Sequence, residues 1–280
     1  MSAGDQVRAL ISDGQMSGRM WMYSNYHCNL ACAYCLTESS PKTPPRRLGH
    51  ERMVALAKQA QSLGFTGLGV TGGEPFLEPD MTDTLLALSE ILPVVVLTNG
   101  MLFHTPARMD DVSRLAGRPV RIQISLDAPT AEGNDALRGQ GNFKRVQAAV
   151  PELVRRGLHV RIATTGHMEE DETSRSLDAL VAGWGIKTED HLKRALVDRG
   201  RAGVNGLGEE ATLSDLPAEL TLTAAGSFWS PFAPTYRSGK LQKDLMLTSV
   251  IDPVERPVSA MLGLLSDASF ERGEARSGFV

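Results

Sequence analysis

The sequence predicts an α/β protein in which six strand–helix units build a parallel sheet, followed by a small extension that contains a β-hairpin. Three observations lead there. Short β-rich runs alternate with longer segments of helical period as far as Gly200. Gly64, Gly157 and Gly185 stand where three of the helical segments need a stop. Beyond Gly200 the alternation gives way to Gly-, Pro- and Thr-rich sequence with short apolar runs. With 280 residues, 42% hydrophobic and 22% charged, the chain has apolar material for one large core.

In chain order, residues 1–20 form an N-terminal segment whose Asp5, Arg8 and Asp13 interrupt any targeting pattern. Strands are predicted at residues 21–24, 67–71, 94–98, 121–125, 160–164 and 195–198. Helices are predicted at 50–63, 81–91, 143–156 and 173–184, the first with Met53, Leu56, Ala57 and Ala60 on one face. Residues 40–47, with three prolines and two arginines, read as a loop. Six units fall short of the eight of a closed barrel, so residues 21–206 are expected to form a partial (βα)6 TIM-like barrel, open on one side. Residues 207–280 form the extension. There, residues 220–223, a turn at Ala225-Gly226 and Phe228-Trp229 read as a hairpin, which a second turn at Ser238-Gly239 extends. The polar tail from Ala268 is expected to be poorly ordered.

A formal charge of −4 and a pI near 5.9 give no global attraction to phosphate backbones or anionic lipid. No apolar run approaches the ~20 residues of a membrane span. A cytoplasmic protein with neither nucleic acid nor membrane as partner is expected. The three cysteines lie within eight residues, as Cys28, Cys32 and Cys35. An odd, clustered set argues against a disulfide framework and for metal ligation in a reducing compartment.

Cys28-Asn-Leu-Ala-Cys32-Ala-Tyr-Cys35 puts three thiolates on one tight loop after the first strand. Three thiolates leave one iron of a four-iron cubane without a protein ligand, open to a small chelating molecule. Zinc is the competing metal, although structural zinc closes four ligands and catalytic zinc draws on His or carboxylate. His27 is expected to point away from its neighbour Cys28 and act as scaffold. Thr71-Gly72-Gly73-Glu74-Pro75 closes the second strand, where ligands sit in parallel α/β folds. Its glycines let the backbone approach a ligand, and Glu74 can accept from an ammonium group. Leu97-Thr98-Asn99-Gly100 and Ile124-Ser125-Leu126-Asp127 bring short polar side chains to the same rim, with turn or cap roles open for Asn99 and Asp127. Thr164, Thr165 and His167 end the fifth strand, the histidine facing either substrate or solvent.

These motifs, in this order, resemble the radical S-adenosylmethionine (radical SAM) superfamily, whose loop is C-x3-C-x2-C with an aromatic residue before the last cysteine, here Tyr34. Asn134-Asp135-Ala136-Leu137-Arg138-Gly139, then Gly141-Asn142-Phe143, is similar to the branch that includes peptide-modifying and molybdopterin-precursor enzymes. Residues 220–229 resemble the hairpin of the SPASM/twitch extension found in that branch. The resemblance implies one 4Fe–4S cluster on Cys28, Cys32 and Cys35, with S-adenosyl-L-methionine chelating the open iron. It implies Gly72, Gly73, Glu74 and Pro75 at the methionine amino group, Ser125 and Arg138 at its carboxylate or the ribose, and Tyr34 near the adenine. Asn99 and Asp127 join the cofactor-binding set, and residues 198–202 run along the adenosine. Core packing stays open for Tyr34, and a solvated surface place for Arg138.

Ser230-Pro231-Phe232 stands where a cysteine is expected, and no cysteine follows Cys35. The extension therefore reads as a cysteine-free remnant without an auxiliary cluster, or as an unrelated cap. The expected function is a deoxyadenosyl radical abstracting hydrogen from a small molecule, in a rearrangement, elimination or oxidation. An external electron donor such as flavodoxin or ferredoxin is implied. A peptide-modifying maturase is the alternative, which the short segment before the first strand disfavours; a non-enzymatic iron–sulfur protein is the third reading. Tyr236 is a candidate hydrogen donor to the substrate radical, or else a packing residue.

Overall fold

Residues alternate in facing along a strand, and in this chain the alternation separates a helix-packed side from a concave one. Met20 and Met22, Leu68 and Val70, Val94 and Val96, Ile122 and Ile124, Val160 and Ile162 are buried in one core with the helices. The computed structural model describes residues 2–166 and 171–267. His167 and the tail from Ala268 lie outside the described residues.

The chain opens with helix α1 (Ala3–Ser12), capped reciprocally by the Ser2 hydroxyl and the Asp5 carboxylate. Then come β1 (Arg19–Tyr23), α2 (His50–Ser62), β2 (Gly67–Thr71), α3 (Met81–Ser89), β3 (Val94–Thr98), α4 (Pro106–Ser113), β4 (Val120–Ser125), α5 (Ala131–Arg138), α6 (Asn142–Arg155), β5 (His159–Thr165), α7 (Glu172–Gly183), β6 (His191–Arg194) and α8 (Arg201–Val204). Strands β1 to β6 pair in parallel in that order. The extension continues this sheet. β7 (Thr221–Thr223) joins the free side of β1 in parallel, and β8 (Gly226–Phe228) folds back on β7. A separate hairpin, β9 (Tyr236–Arg237) with β10 (Lys240–Leu241), precedes β11 (Met246–Thr248), which pairs with β8; α9 (Glu255–Ser266) ends the described chain. β6 and β11 are the two edges, so the sheet curves without closing. No helix among the described residues is long and apolar enough to cross a membrane.

The first five predicted strands and four predicted helices are present, with shifts of one to two residues at most ends. The sixth strand is displaced: it is His191–Arg194, not 195–198. Its sequence lacks an apolar alternation because polar partners replace it. His191 lies between Asp178 Oδ1 at 2.8 Å and Thr164 Oγ1 at 2.9 Å, and Lys193 reaches Asp178 at 2.8 Å. The apolar residues Leu196 and Val197 instead line a cavity. The turn at Ser238-Gly239 is present, but it closes β9 and β10 as their own sheet.

On the concave side the Trp21 indole lies flat against Gly69, where a Cβ would meet ring carbons at 2.2 and 2.3 Å. Its Nε1 donates to Glu219 Oε2, and Ser17 donates to Glu219 Oε1 at 2.7 Å. The extension thereby fixes the floor of the barrel. Gly69→Ala is expected to lower the thermal midpoint by several degrees through roughly 1–3 kcal/mol of overpacking, and to change tryptophan fluorescence. Gly183→Ala, where a Cβ meets nothing within 4 Å, is the control expected to leave the midpoint unchanged or raise it. Equal midpoints for both variants would contradict the packing account.

Candidate active site

The cysteine loop leaves β1 at the C-terminal rim and is held from two sides. The Ala33 N–H donates to the Leu137 carbonyl at 2.8 Å, tying the loop to α5. From the start of α8, the Arg201 N–H donates to the Cys35 carbonyl at 2.9 Å, and its guanidinium donates to the carbonyls of Cys32 and Ser39. Asn205 Nδ2 donates to the Ala33 carbonyl at 2.7 Å. Residues 198–202, expected along the adenosine, therefore include a clamp on the cysteine loop. His27 turns its ring to the Thr43 carbonyl at 2.9 Å, as scaffold.

All three cysteines line one cavity of about 170 Å³, together with Tyr34, Gly72, Gly73, Asn99, Ser125 and Arg138. Cys28 Sγ accepts from the Leu30 N–H at 3.4 Å and lies 3.7 Å from Asn99 Nδ2. Cys35 Sγ is 3.5 Å from the Thr37 hydroxyl. Burial pushes the Cys28 thiol up to about 12 and raises that of Cys32. Metal binding reverses this, because a bound cation favours the thiolate that desolvation disfavours. Among the described residues no three His, Cys, Asp or Glu side chains are drawn together as ligands of a single ion. A cluster asks for one thiolate per iron instead.

The Gly72-Gly73 pair has a different neighbour from the one expected. A Cβ on Gly73 would lie 2.1 Å from the His27 carbonyl oxygen, so the close approach is to the backbone that leads into the cysteine loop. The Gly73 N–H donates to the Asn25 carbonyl at 3.1 Å and the Glu74 N–H to that of His27 at 2.8 Å. Glu74 stands behind the cavity wall. Its Oε1 accepts from the Phe76 N–H at 3.0 Å and the Thr98 hydroxyl at 2.8 Å, and its Oε2 from the Asn99 N–H at 2.8 Å. Burial raises its pKa, and these three donors oppose the rise. Pro75 is buried as the first residue of the short turn Pro75–Leu77 that Glu74 caps.

Tyr34, Asp127 and Arg138 form a buried triad. Arg138 Nη1 is 3.0 Å from Asp127 Oδ2 and also donates to the Tyr34 hydroxyl, which in turn donates to Asp127. Asp127 Oδ1 accepts from the Thr165 N–H at 3.0 Å. Arg138 is thus neither solvated nor at the surface, and Asp127 stands behind the cavity wall, bonded to Arg138, Tyr34 and Thr165, which line it. Arg138 Nε is buried with no acceptor among the described residues, a donor left over on a side chain that lines the cavity. An entering carboxylate suits that donor.

A second cavity of about 200 Å³ adjoins the first. Trp21, Tyr23, Leu36, Leu97, Leu196 and Phe232 line it, and Tyr34, Cys35, Thr71, Gly72, Leu97 and Thr165 line both. Pro231 and Phe232 bring the extension into its wall. Tyr236 lines neither cavity; it stacks edge-on against Tyr26 at 5.2 Å and bonds Arg46. Sequence reasoning missed Trp21, Arg194, Arg201 and Glu219 as parts of the rim and floor. The Gly200-Arg201 dipeptide carried a hint in its motif, and the other three carried none.

A model of the radical SAM superfamily matches residues 22–180. The chain belongs to this superfamily, whose enzymes use a 4Fe–4S cluster and S-adenosylmethionine. Among curated proteins it is 30% identical over 154 residues to "Probable GTP 3',8-cyclase" of Archaeoglobus fulgidus, covering 54% of this chain and 50% of that protein. It is 36% identical over 135 residues to the mycofactocin maturase MftC of Mycobacterium tuberculosis, covering 48% and 33%. It is 28% identical over 159 residues to the PqqA peptide cyclase of Ruegeria pomeroyi, covering 56% and 42%. The matches span half or less of the length of these relatives. Two solved structures share the fold. SuiB of Streptococcus suis bound to S-adenosylmethionine gives a TM-score of 0.59 at 17% identity, covering 75% of this chain and 48% of that one. The anSMEcpe complex with AdoMet and the Kp18Cys peptide gives 0.64 at 12% identity, covering 88% and 83%.

Removing one member of a buried ion pair strands its partner. Asp127→Ala is therefore expected to cost about 3–5 kcal/mol in urea unfolding, and Asp127→Ala with Arg138→Met to cost less than the sum of the two single changes. Additive costs would show that the two charges do not stabilise each other.

Proposed function

We propose that this chain is a radical SAM enzyme that modifies a peptide, one side chain of which enters the apolar cavity. The observation that carries the reading is the wall shared by the cysteine cavity and the apolar cavity. When bound at Cys28, Cys32 and Cys35, the cluster with S-adenosylmethionine supplies a deoxyadenosyl radical. Arg138 Nε meets the methionine carboxylate, Ser125 and Asn99 line its surroundings, and Tyr34 divides that cavity from the substrate's. Glu74 acts as a positioning residue: it holds the ends of β2 and β3 together, and the glycine backbone faces the methionine moiety. Apolar lining keeps water from the substrate. Residues 21–206 serve as the catalytic core, and residues 207–280 contribute Glu219 to the floor and Pro231 and Phe232 to the cavity wall. An external electron donor such as flavodoxin or ferredoxin completes the system.

The sequence alone favoured a small-molecule substrate, and the relatives reverse that order. Two of those named are a maturase and a peptide cyclase. The GTP cyclase relative favours the second reading, a nucleotide substrate. Such a substrate carries several negative charges, whereas among the described residues the apolar cavity offers one cationic side chain, Arg194.

Anaerobic reconstitution is expected to load about four iron and four sulfide ions per chain. The Cys28→Ala, Cys32→Ala and Cys35→Ala proteins should lose both the cluster and reductive cleavage of S-adenosylmethionine. Arg138→Ala should retain iron and bind S-adenosylmethionine about tenfold or more weakly. A wild-type preparation that holds the cluster but cleaves no S-adenosylmethionine under reduction would overturn the enzymatic reading.

A further inference from the structure

Arg194 ends β6, where its backbone pairs with Thr165 and its carbonyl accepts from the Gly166 N–H at 2.8 Å. It lines the apolar cavity and is the one charged residue among the described residues that do so. Other internal arginines of this chain have partners: Arg138 has Asp127, Arg161 lies 3.3 Å from Asp190, and Arg199 grips Asp244 with two bonds of 2.7 and 3.0 Å. Arg194 differs. Its Nε is buried with no acceptor, as are those of Arg138, Arg161 and Arg199, but unlike theirs its guanidinium makes no ion pair and donates to no carboxylate or carbonyl among the described residues. Glu219, the acid whose charge acts on it, is already engaged by Trp21, Ser17 and Arg19.

Arg194 is half-buried, with its Nε out of reach of water, and a cation beside an apolar cavity without an ion-pair partner is poorly solvated; desolvation lowers the pKa of this guanidinium accordingly. Natural proteins keep such a charge where a ligand completes it. The cavity of about 200 Å³ has room for one amino-acid-sized group. A guanidinium presents parallel N–H donors that match a carboxylate. Phosphate fits less well, because no second cation lines the cavity among the described residues.

We propose that Arg194 is a substrate-specificity residue that binds a carboxylate, so that the reacting residue of the peptide is either its free C-terminus or an acidic side chain. The assignment of that carboxylate to a peptide rests on the function proposed above. Arg194 sets the orientation of the bound residue: the carboxylate lies toward β6, and the rest of the residue lies across Trp21 and Leu97, beside the wall shared with the cysteine cavity.

The test is anaerobic calorimetry on the reconstituted protein saturated with S-adenosylmethionine. Three probes are compared: N-acetyl-leucine, N-acetyl-leucinamide and N-acetyl-glutamic acid α-amide. At least one carboxylate probe is expected to bind about tenfold or more tightly than the neutral amide. Preference for N-acetyl-leucine identifies a C-terminal carboxylate, and preference for the glutamate amide an acidic side chain. Arg194→Gln should erase the preference and Arg194→Lys should weaken it, since lysine keeps the charge without the fork. Circular dichroism melts report whether each variant folds, and the wild-type comparison decides the matter without them. Equal binding of acid and amide, no binding of any probe, or a preference that survives Arg194→Gln would overturn the proposal. Failure of S-adenosylmethionine cleavage is read separately in the wild-type protein and bears on the proposed function alone.

Discussion

The buried pair of Asp127 and Arg138 is the interaction on which the rim depends. It joins the end of β4, the last turn of α5 and, through the Tyr34 hydroxyl, the cysteine loop. Asp127 also receives the Thr165 N–H, so a fourth element, the end of β5, is fixed by the same carboxylate. An ion pair taken out of water repays its desolvation only when its remaining donors and acceptors are satisfied. Here Arg138 Nη1 and both Asp127 oxygens are engaged, while Arg138 Nε is left without an acceptor on a side chain that lines the cysteine cavity. The geometry of the loop, the placement of the aromatic ring and the leftover donor are therefore consequences of one buried charge pair.

The two cavities divide the work by chemistry. The first carries sulfur, backbone and polar groups, with its cation already neutralised by Asp127. The second is walled by aromatic and aliphatic side chains and holds a cation that nothing in the described chain neutralises. A low-dielectric wall strengthens whatever electrostatic contact an entering group makes, and it also makes an unmatched group costly. Selectivity at such a place follows from the penalty for the wrong substrate as much as from attraction to the right one.

The cysteine triad, the glycine-rich end of β2 and the helix–strand alternation were legible because each is local in sequence. Cys28 to Cys35 declares itself by spacing, and β3, Val94–Thr98, by its three consecutive valines. What was not legible is set by contacts across the chain. β6 reads as surface until Asp178 and Thr164 are placed beside His191. Gly73 reads as a ligand-facing glycine, and that its lack of a side chain also admits the His27 carbonyl is seen only in the fold. Arg194 reads as one arginine among many, and only the absence of an acceptor around it distinguishes it. Helices α1 and α9 were missed for a different reason: α1 had its cap in Ser2 and Asp5, and α9 had Val258, Met261, Leu262 and Leu265 at helical spacing, so their signals were present and passed over.

The parallel pairing of β7 with β1 has a bearing on how the molecule is made. Trp21 is in register with Thr221, so one flank of β1 waits for a segment synthesised much later, after β2 to β6. Closing such a contact late costs loop entropy and slows folding relative to the neighbouring strand–helix units. Until then β1 presents an open edge, the kind of surface that recruits other chains. Arg19, at the start of β1, places a charge beside that edge and later meets Glu219 from the arriving segment at 3.7 Å. The same residues that finish the floor of the barrel thus also end the interval in which a nascent chain is most exposed to misassembly.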